Sequence, residues 1–417
     1  MTATVTLLAG TLGLLLAVNA LRPVRAPALF AAASFLAGWL TSELAFHCMA
    51  LQCVVLSVGV WKGALDTLPG QVGVGAGALS VLLLGRSALE GVRARRVVEA
   101  LVTGPLGASA PRALPEDHAP APMGWWLRRL LFPLPVTHPS VERTRAVVYA
   151  REGRLQLKLD VFRRRGAAHD EGARRPAVVF VHGGAWVLGS RDHHGLPMLQ
   201  DLAARGCVCF SLDYRLSPRA TFPEHLVDVK RALAWVRAHA RAWGADPGFV
   251  VLSGGSAGGH LAALAALTAD DKSYQPGFED ADTSVAACVG FYGVYDLADT
   301  RGHWPNPGLR RVLERWVFKA RLADARERFA RASPLARVHR DAPPFLLVHG
   351  ALDTLVPVEE ARVFHRALLD AGAESHYLEL PGAQHAFEIF PSPRTLETVR
   401  CVAEFVRRVR GRAPQVG

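Results

Sequence analysis

Ser256 sits where a short apolar run meets an alanine-rich one, in FVVLSGGSAGGHLAALAAL. A serine hydroxyl attacks a carbonyl carbon only with a base to take its proton and donors to hold the charge that develops on oxygen. The spacing Gly254-x-Ser256-x-Gly258 meets the steric part of that requirement. A sharp strand-to-helix turn lifts the serine oxygen clear of a sheet, and only small neighbours fit so crowded a turn. The helix predicted from Ala257 aims its N-terminus at the same place and favours negative charge there. Ser253 lies outside the pattern and is expected to be structural.

The remaining groups are found by chain order. Upstream, AVVFVHGGAWVLGS follows a strand-like run with His182-Gly183-Gly184-Ala185. The N–H groups of Gly183 and Gly184, with that of Ala257, are predicted to form the oxyanion hole, and His182 to brace the loop. Downstream, Asp353 in FLLVHGALDTLVP and His385 in LELPGAQHAFEIF complete the order Ser, Asp, His. His385 is expected to take the serine proton and pass it to the leaving alcohol, with Asp353 orienting the ring. Asp296, His260, His349 and His376 do not combine this order with the right loop, and structural roles are expected for them. The cluster Asp192-His193-His194 lacks the spaced further ligands of a metal site and reads as helix-start polarity. No metal or organic cofactor is called for.

These residues need a scaffold. After residue 145 continuous apolar runs at 178–181, 208–212, 250–252, 285–291 and 345–348 alternate with helical stretches such as 224–242, behind a hairpin-like opening at Glu152-Gly153. That pattern predicts an α/β fold with a mostly parallel sheet covered by helices on both faces. The catalytic domain is expected over 141–417, with an insertion at 297–338, rich in Arg and aromatics, acting as a cap. Cys207 and Cys209 fall two apart on a predicted strand and read as small buried hydrophobes.

The first hundred residues differ in kind. Apolar stretches at 5–21, 28–61 and 72–84, extendable to 89, predict a transmembrane helical region over 1–100, since a span takes about twenty apolar residues. The leading MTATVT lacks the positive charge of a cleaved signal, so the first stretch is expected to be retained. Arg22 and Arg25 follow the first stretch, and Arg86, Arg93, Arg95 and Arg96 the last. Three spans would put both groups, and the catalytic domain, on the cytoplasmic side, which the charge rule favours; four spans, with 28–61 folded into a hairpin, would put the catalytic domain outside. Glu43 and His47 fall four apart and would share a helix face, or else mark a turn near the interface. Residues 101–140 read as a Pro-rich linker followed by an amphipathic segment, with Trp125 and Trp126 beside snorkelling Arg128 and Arg129.

The net charge of +11 comes from 48 Lys+Arg against 37 Asp+Glu, mostly scattered arginine. No nucleic-acid motif accompanies it, so membrane lipids, not nucleic acid, are the expected partner. Six cysteines in 417 residues make no disulfide scaffold.

The segments HGGAW, DYRLSP, GGSAGG, DTLVP and QHAFE resemble the hormone-sensitive-lipase-like branch of α/β-hydrolases, in particular a bacterial lipase/carboxylesterase group typical of actinobacteria. The resemblance covers about residues 141–409. It implies hydrolysis of short or medium acyl esters, with a small-molecule or lipid ester as substrate. The branch often has an acidic residue where Gly255 stands and a third glycine where Ala185 stands. Arylformamidases share these motifs, so amide cleavage is an alternative. A catalytically silent shell is another, against which stands the full set of catalytic residues.

Overall fold

The computed structural model describes residues 1–106, 123–134, 137–166 and 175–412. The proline-rich part of the expected linker, 107–122, lies outside the described residues.

The N-terminal region is helical: α1 (Thr2–Leu21), α2 (Ala28–Glu43), α3 (Ala45–Trp61) and α4 (Leu68–Thr103). Helices α1 and α4 are each long and apolar enough to cross a membrane, and the bent pair α2–α3 makes a third candidate when taken together. The stretch 28–61 is not one helix. It breaks at Leu44 with an 86° bend. Glu43 and His47 therefore do not share a helix face: they belong to different helices, with Glu43 buried against the catalytic domain and His47 Nε2 3.0 Å from Leu131 O. The turn reading is the correct one. The last apolar stretch is also longer than expected. Arg86 to Arg96 lie within α4, not beyond its end.

Helices α1, α3 and α4 pack as a bundle through small residues. A Cβ on Gly10 would run into the Gly73 carbonyl, one on Gly59 would meet Thr6 Oγ1 at 2.5 Å, and one on Gly77 would meet Leu56. Such close backbone approach packs the helices by van der Waals contact. The far half of α4 leaves the bundle, and its Ala94 and Val98 enter the cluster that contains Phe405 and Val409.

A short helix α5 (Met123–Leu131) precedes the sheet. Its sides are opposite to expectation in one respect. Trp125, Trp126 and Arg129 face inward, and Arg129 donates to Thr137 O at 3.2 Å instead of snorkelling. Leu127 and Leu131 face out.

The catalytic portion is one eight-stranded sheet among the described residues, built from β1 (Val141–Glu152), β2 (Leu155–Arg164), β3 (Arg175–Val181), β4 (Val208–Leu212), β5 (Ala245–Gly255), β6 (Ala287–Phe291), β7 (Phe345–Gly350) and β8 (Ser375–Leu380). Its order is β1-β2-β4-β3-β5-β6-β7-β8, with β1 and β2 antiparallel and β3 to β8 parallel. Strands β3, β4 and β6 are buried almost throughout, the mark of a sheet covered on both faces. The helices α6 (Leu196–Ala204), α7 (Glu224–His239) and α8 (Ala257–Leu267) alternate with them. The segment 297–338 folds as short turns around α9 (Gly308–Val312) and α10 (Arg326–Arg331), followed by α11 (Glu359–Asp370) and α12 (Pro393–Arg412). Phe318 stacks on Phe329 at 4.0 Å and tilts on Phe222, which ties this segment to the core.

A buried ion pair joins the two regions. Arg394, at the start of α12, places Nη1 3.2 Å from Glu43 Oε1 and donates to Ser42 O and Ser87 O, while Ser392 Oγ donates to Glu43 Oε2 at 2.6 Å. Both side chains are almost fully buried. Removing one partner strands the other charge away from water. Arg394→Leu is expected to destabilise the protein by about 3 kcal/mol, seen as a lower Tm in detergent, and adding Glu43→Gln to recover much of the loss.

Candidate active site

Strand β5 delivers Ser256 to the end of the sheet, and α8 starts at the next residue. Ser256 holds φ 57° and ψ −121°, a conformation that side-chain-bearing residues avoid. Its N–H donates to Phe291 O at 2.9 Å, and its carbonyl accepts from His260 N–H. The glycines flanking it leave no room for a side chain. A Cβ on Gly254 would overlap Gly258 backbone, and one on Gly258 would overlap the carbonyls of Val181 and His182.

The loop after β3 lies against this turn. A Cβ on Gly183 would fall 2.8 Å from Gly255 O and 3.1 Å from Ser256 Cβ. Gly184 adopts φ 119°, and its carbonyl accepts from Val187 and Leu188 N–H, which turns the loop back on itself. The structure thus brings Gly183 against the serine, with Gly184 next in the loop and Ala257 as the first residue of α8. Ala185 holds φ 51° where the resembling branch has glycine, a conformation that costs a residue with a Cβ about 1 to 2 kcal/mol. His182 does brace this loop: its Nδ1 lies 2.7 Å from Gly183 O, its ring stacks on Tyr214 at 4.4 Å, and Tyr214 Oη donates to its carbonyl. Burial holds its pKa down, which keeps the ring neutral.

Asp353 and His385 meet in the loops beyond β7 and β8. Nδ1 of His385 is 2.6 Å from Asp353 Oδ2. The other carboxylate oxygen accepts from the N–H groups of Leu355 and Val356, each at 2.8 Å. Although burial opposes ionisation, the charges of His385 and His349 and their hydrogen bonds hold Asp353 well below the usual carboxylate range. Gln384 Oε1 accepts from Thr354 N–H and His385 N–H at 3.2 Å each, locking the two loops together.

Sequence reasoning missed several neighbours. His349 was expected to be a bystander, but its Nε2 lies 3.2 Å from Asp353 Oδ2 and 3.0 Å from Val356 O, so it is a second orienting contact to the carboxylate. Its place on β7, four residues before Asp353, was the available signal. His194 does not serve helix-start polarity. Gly195 occupies the cap of α6, without a side-chain cap, while His194 Cε1 lies 3.0 Å from where a Gly183 Cβ would be. Burial drives its pKa down to about 3. Asp192 turns away and pairs with Arg143. The other competitors are structural. His260 accepts from Trp186 Nε1 and contacts Ala332 O, His376 pairs with Glu374, and Asp296 accepts from Thr300 N–H and Oγ1.

Tyr292 and Glu388 fill the space that Gly255 leaves. A Cβ on Gly255 would come within 2.8 Å of Tyr292 Oη, whose ring lies 4.4 Å from His385 and whose hydroxyl donates to Glu388. An acidic side chain at 255 has no room here, which accounts for that departure from the family pattern. Burial pushes the Glu388 carboxyl up to about 7. Between its ordinary 4.5 and that value the folded state binds the extra proton, so the stability that Glu388 contributes falls as pH rises through this window. Wild type is expected to lose Tm relative to Glu388→Gln between about pH 5 and pH 7, read by thermal unfolding in detergent.

With this geometry in view, comparison with known proteins is direct. A family model described as BD-FAE matches residues 160–368. The esterase LipQ of Mycobacterium tuberculosis is 42% identical over 271 residues, which cover 65% of this chain and 63% of LipQ. The match thus spans less than two thirds of that relative's length. The esterase LipC of the same organism is 42% identical over 301 residues, covering 68% of this chain and 73% of LipC. Among solved structures, the apo form of Thermogutta terrifontis esterase 2 is 28% identical with a TM-score of 0.55, covering 68% of this chain and 99% of that one. The chain belongs to the BD-FAE family and carries an α/β-hydrolase domain of the carboxylesterase type, as its resemblance to the hormone-sensitive-lipase-like branch implied.

Proposed function

We propose that the protein is a membrane-anchored serine carboxylesterase or lipase that works through an acyl-enzyme. The observation that carries the reading is the convergence of a strained Ser256 turn, the Gly183 loop packed against it, and an Asp353–His385 pair at one end of one sheet. Ser256 Oγ attacks the ester carbonyl as His385 Nε2 takes its proton. The N–H groups of Gly183, Gly184 and Ala257 receive the oxyanion, each such donor being worth about 3 kcal/mol in the transition state. His385 then protonates the leaving alcohol, and water, activated by the same ring, releases the acid. Asp353, kept ionised by its donors, fixes the Nδ1–H tautomer and balances the imidazolium charge.

The esterase names of LipQ and LipC support this chemistry over amide cleavage or a silent shell. Helices α1, α3 and α4 are read as three spans, with Arg22, Arg25 and the arginines of α4 on the catalytic, cytoplasmic side. The segment 297–338, tied to the core through Phe318 and Phe222, is read as a cap.

Wild-type membranes are expected to hydrolyse p-nitrophenyl esters from acetate to palmitate, and Ser256→Ala to lose about a thousandfold or more in kcat. Asp353→Asn is expected to lower kcat about a thousandfold while Ser256 still reacts slowly with a fluorophosphonate probe. A wild type that labels with the probe yet turns over no ester would redirect the assignment to formamides. One that neither labels nor turns over would leave only the silent shell.

A further inference from the structure

Helix α2 belongs by sequence to the membrane region, yet it touches the catalytic histidine loop. The Phe35 ring stands edge-on to His385 with centroids 6.1 Å apart and stacks on Trp39 at 5.6 Å. Trp39 Nε1 donates to Ala386 O at 2.9 Å, and its ring packs on Phe390 at 5.0 Å. A Cβ on Gly38 would lie 3.5 Å from Gln384 Nε2, so the helix backbone itself passes beside the residue that precedes His385. At its N-terminal end, Asn306 of the 297–338 segment donates to Arg25 O, and Arg25 reaches Ala351 O, two residues before Asp353.

The opposite side of α2 is bare and apolar. Leu29, Phe30, Leu36 and Leu40 are exposed, Leu29 by 79%. Because α2 meets α3 at 86°, and α3 packs with α1 and α4, spans that cross the bilayer leave α2 lying along its surface. Such a helix buries its apolar side in the headgroup and acyl boundary. Leu355, two residues after Asp353, and Leu188, just past the Gly183 loop, are exposed apolar groups of the catalytic domain close to the same site.

Resting on the esterase reading above, we propose that α2 forms one wall of the substrate site. The substrate is then an ester resident in the bilayer, whose acyl chain lies along Phe35 while its carbonyl reaches Ser256. The wall on one side and the lipid on the other make α2 the border the substrate crosses, so a chain too short to stay in lipid gains nothing from it. Phe35 is accordingly a specificity residue, acting on how the chain is held and not on proton transfer.

The test uses the full chain in phosphatidylcholine vesicles, comparing wild type, Phe35→Ala and Phe35→Leu on p-nitrophenyl palmitate and acetate. The palmitate-to-acetate ratio of kcat/KM is expected to fall ~10-fold in Phe35→Ala and to recover largely in Phe35→Leu, as lost apolar contact requires. A ratio that stays at the wild-type value, whether both rates drop together or neither moves, overturns the proposal, because Phe35 then only supports His385 or does nothing. An acetate rate that rises in Phe35→Ala with palmitate unchanged also overturns it, since α2 would be an obstruction. Labelling of Ser256 by a long-alkyl against a methyl fluorophosphonate gives the same ratio without turnover. Failure of the esterase reading, with labelling but no ester hydrolysis, is therefore distinguishable from failure of the α2 wall.

Discussion

Ser256 is held at φ 57° and ψ −121°, and strain of this kind costs about 1 to 3 kcal/mol unless its surroundings enforce it. What enforces it here is contact on every side. Strand β5 anchors the turn between β3 and β6, Phe291 O accepts from the serine N–H, and α8 leaves at once so that its first turn faces the reaction centre. Each arrangement requires two backbones to approach more closely than a Cβ permits, at Gly254 and at Gly258. The parallel sheet can thus be understood as the frame that keeps one unfavourable residue conformation in place.

Around that turn the chain replaces water with fixed dipoles. Asp353 is buried, which alone would favour its neutral form, yet two backbone N–H groups and two imidazoles face it. A carboxylate so surrounded is already oriented toward the His385 ring. Glu388 shows the contrary case. With the Tyr292 hydroxyl as its donor partner, it remains easier to protonate. The two buried carboxyl groups shift in opposite directions, because the charges of His385 and His349 lower Asp353 while burial outweighs the Tyr292 hydrogen bond at Glu388.

The N-terminal helices are continuous with the sheet-bearing portion. The Arg394–Glu43 pair, the Trp39 bond to Ala386 and the entry of Ala94 and Val98 into the core fix α2 and α4 to the catalytic portion. A flexible tether would need no buried ion pair. The geometry of the N-terminal helices is therefore part of the geometry around His385.

Local sequence was enough for much of this. The G-x-S-x-G turn, the His182-Gly183-Gly184 loop, and the placement of Asp353 and His385 after successive strands were legible because each is dictated by short-range sterics and strand–helix alternation. So were the strand at Val208–Leu212, matched residue for residue, and the apolar character of the N-terminal helices. What only the tertiary structure decided depends on residues far apart in the chain. The burial of Glu43 depends on Arg394, some 350 positions away, and no periodicity within 28–61 encodes that partner. His349 and His194 likewise look like lone histidines in sequence, since their neighbours are supplied by loops folded back over the sheet. Spacing along the chain reveals what one strand or helix presents; which surfaces then meet is set by packing, and packing brought the apolar helix α2 beside His385.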